Sequence, residues 1–347
     1  MKTRHLLFAI IVTAFAVAVS FYPLNYYIMQ PGSAYDAHEY IEVDQGDDDE
    51  GEFNFMTVSI GKATPITYLI AKYSDYKDIL KREEVRQANE TDEEYNLRQL
   101  KLMSDSQFNA LYVAFSRAKL PYEIERKGVY IVQVVEQSAA DGIIKPADIV
   151  TKVDGKQIQK LDDLRNELAG KKEGDLVKVS ILRKNEEIQT SVTLKEIPGT
   201  DGQIGIGISY SESKKITTNP TVKTDTEDIG GPSAGLMFTL EILNQLLPED
   251  LTKGYKVAGT GEMNEDGTVG RIGGIDKKVV AADRAGMEIF FAPADVITEE
   301  MLKKAPEIRS NYDVALQTAK EIGTTMKIVP VKTIDEALAY LEKLPQK

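Results

Sequence analysis

An uncharged, largely apolar run opens the chain. Lys2, Arg4 and His5 precede Leu6 to Tyr22, and no charged side chain follows through Ser33. A bilayer is crossed by a helix of roughly 20 apolar residues, and basic residues on one flank hold that end in the cytoplasm. The pattern predicts a transmembrane signal-anchor over residues 1–32, single-pass, with the N-terminus cytoplasmic and the rest of the chain extracellular. Cleavage after Ala16-Val17-Ala18, as in a signal peptide, is the competing expectation. Phe21, Tyr22, Tyr26 and Tyr27 suit an outer interface.

Residues 33–122 read as a mixed strand and helical region. Phe53 to Ile60 alternates as a strand does. Pro65 opens a helical stretch with Ile66, Leu69, Ile70, Tyr73 and Leu80 on one face. A charged segment, Lys81 to Glu94, separates it from a helix capped by Ser104 or Asp105. That helix carries Phe108, Leu111, Tyr112 and Phe115 at i, i+3, i+4 and i+7.

Residues 123–198 change character. Gly128 to Val135 is a strand, and a small-residue turn through Ser138 to Pro146 leads to another. Asp162-Asp163-Leu164 opens a helix, and Val177–Leu182 and Ile188–Leu194 pair around Lys184-Asn185-Glu186. This order resembles the PDZ domains of bacterial surface proteases, with Ala147 where a glycine is usual. The resemblance implies that Gly128, Val129, Tyr130 and Ile131 border a groove taking a peptide as an added strand. Residues 199–347 alternate strands (Val257–Gly261, Ile289–Ala292, Ile328–Val331) with helices (Ser233–Leu247, Ile275–Ala285, Ile334–Leu344), which predicts an α/β layer. The fold class expected is multidomain α/β.

Length and composition narrow the chemistry. At 347 residues, two or three domains are expected. The chain has no cysteine, so disulfides, cysteine nucleophiles and thiolate metal sites are excluded. His5 and His38 are the only histidines, too far apart for a two-histidine metal motif. The acidic cluster Gly46–Gly51 places Glu52 where an EF-hand loop requires glycine, so a solvated loop is expected rather than a metal site. A net charge of −13 disfavours nucleic acid as a partner. No Gly-x4-Gly-Lys-Ser/Thr phosphate loop is present, so no ATP and no cofactor are expected.

The richest stretch is Gly230-Gly231-Pro232-Ser233-Ala234-Gly235. The glycines permit close substrate approach, Pro232 fits a first helical turn, and Ser233 stands at the positive end of a helix dipole. An ordinary N-cap serine is the bland alternative. As a nucleophile, Ser233 needs a base; with histidine scarce, lysine in an apolar setting is the remaining common choice. Lys278 has Gly274, Ile275, Ala281 and Ala282 as its helical neighbours, whereas Lys277 lies on a row with Arg284.

Together, Gly231-Pro232-Ser233-Ala234-Gly235, Thr260-Gly261-Glu262 and Gly273-Gly274-Ile275-Asp276-Lys277-Lys278 resemble the α+β proteolytic domain of Lon peptidases. The whole chain is similar to the membrane-anchored, Lon-like, PDZ-containing proteases of Gram-positive bacteria. That resemblance implies Ser233 as nucleophile, Lys278 as base and Thr260 as the residue positioning the lysine amine. It also implies that Gly230, Gly231 and Pro232 line the oxyanion and substrate backbone. Gly230 stands where many Lon proteins carry an acidic residue, with Asp228 nearby. The implied substrates are secreted peptides or small membrane proteins, with the cytoplasmic membrane as anchoring partner and an oligomer possible. A tethered PDZ scaffold with an inactive protease domain is the alternative.

Overall fold

The computed structural model describes residues 2–46, 50–226 and 229–347. Asp47, Asp48 and Asp49 of the acidic cluster, and Asp228 upstream of Ser233, lie outside the described residues. In chain order the elements that position the site begin with α1 (Lys2–Ser20), β1 (Tyr26–Asp36), β2 (Glu52–Lys62), α2 (Pro65–Lys72) and β3 (Asp78–Lys81). Next come α3 (Asp92–Ala118), β4 (Tyr122–Val134), β5 (Ile149–Val153), α4 (Leu161–Leu168), β6 (Leu176–Arg183), β7 (Glu186–Thr193) and β8 (Ile208–Thr218). The last are α5 (Gly235–Leu246), β9 (Lys256–Gly259), α6 (Ile275–Arg284), β10 (Ile289–Pro293), α7 (Asn311–Ile322), β11 (Lys327–Val331) and α8 (Ile334–Glu342).

These elements form two compact units, Met1–Glu90 with Ser233–Lys347, and Thr91–Pro232. In the first unit the strands order as β11-β10-β9-β2-β1-β3. β2, β9, β10 and β11 run parallel, while β1 is antiparallel to both β2 and β3. Strands from the first 81 residues therefore share a sheet with strands after residue 256. Periodicity reports which residues form strands, not which strands pair, and so could not show this.

Alternate side chains of each strand face opposite layers. Met56, Ala258 and Phe290 pack with α6 and α7 through Ile275, Val279, Ala282, Ala315 and Ala319. On the other face Phe55 meets Phe238 of α5 edge-on at 5.1 Å, and Phe291 meets Tyr340 of α8 at 5.7 Å. The strands are apolar on both faces because both are covered.

The second unit is an antiparallel sheet ordered β8-β4-β5-β6-β7. Its core joins Val129, Ile131, Val150, Val177, Val179, Ile181 and Val192 to Leu164 of α4. Asp148, buried, receives Arg183 in a bidentate pair of 2.8 and 2.7 Å. Helix α3 starts at Asp92, well before the expected Ser104 or Asp105. Thr91 and Glu94 form a reciprocal capping box: Glu94 N–H donates to Thr91 Oγ1 at 3.2 Å, and Thr91 N–H donates to Glu94 Oε2 at 2.8 Å.

The expected transmembrane segment over 1–32 is not one element. Helix α1 ends at Ser20, Pro23 follows, and Tyr26 already belongs to β1. Among the described residues no helix is long and apolar enough to cross a membrane.

Candidate active site

Ser233 lies in the turn that leads into α5, just before the N-cap residue Ala234. Its main chain is fixed by the segment that leaves β9. Gly261 N–H and Thr260 Oγ1–H both donate to the Ser233 carbonyl, at 2.9 and 3.0 Å. Leu236 N–H returns a bond to the Gly261 carbonyl at 3.0 Å. A short apolar strand followed by Thr-Gly thus clamps the serine turn from its carbonyl side.

Lys278 comes from the first turn of α6, whose N-cap is Gly274 with φ of 66°. A Cβ on Gly274 would sit 2.9 Å from Val58 Cγ1 and 3.0 Å from Met29 Sδ, so both the backbone angle and the space require glycine. This close approach seats the helix start on β1 and β2 and sends Lys278 inward.

The structure brings Ser233, Lys278 and Thr260 together. Lys278 Nζ stands 2.6 Å from Ser233 Oγ and 2.9 Å from Thr260 Oγ1. The Thr260 hydroxyl hydrogen is committed to the Ser233 carbonyl, so its oxygen accepts from the amine. Lys278 is 2% exposed. Burial disfavours the ammonium form and lowers its pKa from 10.5 to about 7. At neutral pH much of the amine therefore carries a lone pair, and that lone pair faces a serine hydroxyl. Such an arrangement can remove a proton from Ser233 as its oxygen attacks an electrophile.

Other predicted residues stand differently. Lys277, placed by its helical row beside Arg284, is buried and paired with Asp78 of β3 and, at 2.7 Å, with Asp276. Gly230, Gly231 and Pro232 belong to the second unit. Gly231 N–H donates to the Gln99 carbonyl at 3.0 Å, and the Pro232 carbonyl accepts from Ser106 Oγ at 3.0 Å. The Gly231 amide is thereby occupied, which removes it as an oxyanion donor.

The expected groove at Gly128, Val129, Tyr130 and Ile131 is also corrected. These residues lie in β4, which has a strand on either side. Val129 pairs with Glu212 of β8 and with Val150 of β5, and Tyr130 with Ser211 and Ile149. No peptide can add there. Gly128 is needed for a different reason: a Cβ would lie 2.2 Å from the Val150 carbonyl oxygen. The edges of this sheet are β8 and β7, and β8 is met by α3, where Lys101 Nζ donates to the Glu212 carbonyl at 3.0 Å. Sequence reading also passed over the Thr91-x-x-Glu94 box, whose spacing was the available signal. No group of His, Asp and Glu that could hold a metal occurs among the described residues.

Two protein families match parts of the chain. Residues 222–341 match the Lon protease (S16) C-terminal proteolytic domain, and residues 109–194 match the PDZ domain. The chain joins a Lon-type S16 proteolytic domain to a PDZ domain. A Lon protease of Trichlorobacter lovleyi is 37% identical over 116 residues, which are 33% of this chain and 12% of that protein. A Lon protease of Vibrio parahaemolyticus is 29% identical over 161 residues, 46% of this chain and 18% of the relative. The chain thus spans less than a fifth of the length of these two relatives. Among solved structures, the PDZ domain of an SdrC-like protein from Listeria innocua is 31% identical and covers 25% of this chain and 96% of its own, with a TM-score of 0.23.

Proposed function

We propose that this chain is an ATP-independent serine endopeptidase that works through an acyl-enzyme with a Ser233–Lys278 dyad. The observation that carries the proposal is the 2.6 Å approach of a fully buried amine to the Ser233 hydroxyl. Neutral Lys278 takes the Ser233 proton as Oγ attacks the scissile carbonyl. The resulting ammonium returns that proton to the leaving amine, and the acyl-enzyme remains. Water then attacks the acyl group, Lys278 again accepting and returning a proton, which frees a carboxylate product and Ser233. Thr260 holds the amine on the serine throughout. The developing oxyanion is met by the Ser233 and Ala234 amides at the positive end of α5.

The match to the PDZ domain over residues 109–194 supports delivery of extended polypeptide by strand addition. The absence of a phosphate-loop sequence supports cleavage without ATP-driven unfolding. Substrates of this chemistry are secreted peptides or small membrane proteins. Exposed Leu6, Leu7, Ile10, Ile11 and Val17 on α1 support attachment to the outer face of the cytoplasmic membrane. The test is cleavage of an unfolded protein such as casein, without ATP, by the full chain and by Ser233→Ala and Lys278→Ala. Loss of cleavage and of fluorophosphonate labelling in both variants is expected. Wild-type rates in either variant would refute the dyad.

A further inference from the structure

Helix α2 has its apolar residues on the wrong side for a soluble protein. Ile66, Leu69, Ile70 and Tyr73, which share one face, are 49, 58, 49 and 82% exposed. At about 100° per residue they fall within an arc of about 100°. The opposite side, toward the sheet, is carried by small Ala71, which packs with Ile28 and Ala63. Burying Ala71 alone leaves the helix's main apolar stripe in water, and a contiguous patch of this kind marks an interaction surface.

We infer that this stripe docks on an anionic lipid bilayer, with α2 lying in the headgroup interface. Three observations select that occupant. First, α2 contacts α1, whose own Leu6, Leu7, Ile10 and Ile11 are exposed, so the two apolar surfaces adjoin. Phe21 and Tyr22, also exposed, follow α1, Tyr26 opens β1 and is exposed too, and aromatic side chains favour the headgroup level.

Second, the local charge opposes the global one. From Phe53 to Ser74 there is no acidic residue, but Lys62 and Lys72 are present, in a chain of net charge −13. Lys72 ends α2, and both lysines are exposed beside the stripe. Third, a cleft of about 160 Å³ opens against α2, lined by Gln30, Ser59, Lys62, Thr67, Ile70 and Lys77. Two ammonium groups with amide and hydroxyl neighbours suit the phosphate of an anionic headgroup. An apolar stripe flanked by lysines is the pattern of a helix that lies on a membrane rather than through it.

The inference does not depend on the protease assignment. The chain has no tryptophan, so Tyr73→Trp in the full chain gives a single reporter. Vesicles of phosphatidylcholine and phosphatidylglycerol, with and without brominated acyl chains, are the probe. The expected result is blue-shifted emission and quenching by the brominated lipid. Both should weaken severalfold in vesicles of phosphatidylcholine alone and disappear when Leu69→Glu and Ile70→Glu are added. Val296→Trp, at a position 75% exposed in the same unit, should stay unquenched, which separates docking of α2 from mere tethering. Quenching in the Tyr73→Trp protein no greater than in the Val296→Trp protein would overturn the inference. So would a blue shift that appears without vesicles and grows with protein concentration, since a second copy would then cover the stripe.

Discussion

Replacing Lys278 by methionine should stabilise the first unit at neutral pH and lose that advantage as pH rises. The cause is the buried amine. Its folded pKa of about 7 lies below the ordinary 10.5, so between those values the unfolded chain holds a proton that the native chain does not. Native stability therefore climbs with pH across that window, by about 1.36 kcal/mol per pH unit, and is flat below it. Carried over the whole window, burying the amine costs about 5 kcal/mol at pH 7 and below, relative to a group with no charge to lose. Methionine fills a similar volume without that cost but loses the bond to Thr260, worth about 1 kcal/mol.

The comparison is cleanest between Ser233→Ala and Ser233→Ala/Lys278→Met, because neither can cleave the other during the measurement. The double variant should be about 4 kcal/mol more stable at pH 7, with the difference shrinking to near zero by pH 10. Urea unfolding followed by far-UV circular dichroism reads both values. A stability difference that stays constant from pH 7 to pH 10 would show that Lys278 keeps its proton when folded. That result would remove it as a base.

Three further outcomes follow from the same geometry. Because protonated Lys278 cannot accept the serine proton, kcat/KM for an uncharged peptide should rise with pH through a midpoint near 7, measured by initial rates. Thr260→Val keeps the shape but removes the acceptor for the amine and the donor to the Ser233 carbonyl. It should lower kcat by roughly ten- to a hundredfold, as one or two buried bonds imply, with little change in KM. In the second unit, Arg183→Met strands the buried Asp148 carboxylate and should cost about 3–5 kcal/mol in urea unfolding of that unit.

The meeting of Ser233 and Lys278 was legible because both carry local signatures. Ser233 follows Gly-Gly-Pro at a helix start, and Lys278 sits on an uncharged helical stripe four residues after Gly274. The strands of the α/β layer were equally plain, since Phe290-Phe291 and Val257-Ala258 are apolar on both faces. Lys277 shows the limit of that reasoning. Its helical row points toward solvent, but Asp78, some 200 residues earlier, meets it and buries it. The stripe on α2 shows the same limit in the opposite sense. Its period is that of a core-facing helix, yet only the position of Ala71 decides which side meets the sheet.

The groove misplacement has the same origin. Gly128–Ile131 reads as a strand and is one, but its two edges are filled by β5 and β8, the latter some 80 residues distant. Local spacing determines where helices and strands form and which side chains carry chemistry, because those depend on neighbours within a turn or two. Pairing between distant segments determines the rest. It assigns β1–β3 to the sheet of the first unit, buries β4 between β5 and β8, and desolvates Lys278 beside Ser233. The lowered pKa that would suit Lys278 to act as a base is a property of burial, and burial exists only once the sheet has closed over it.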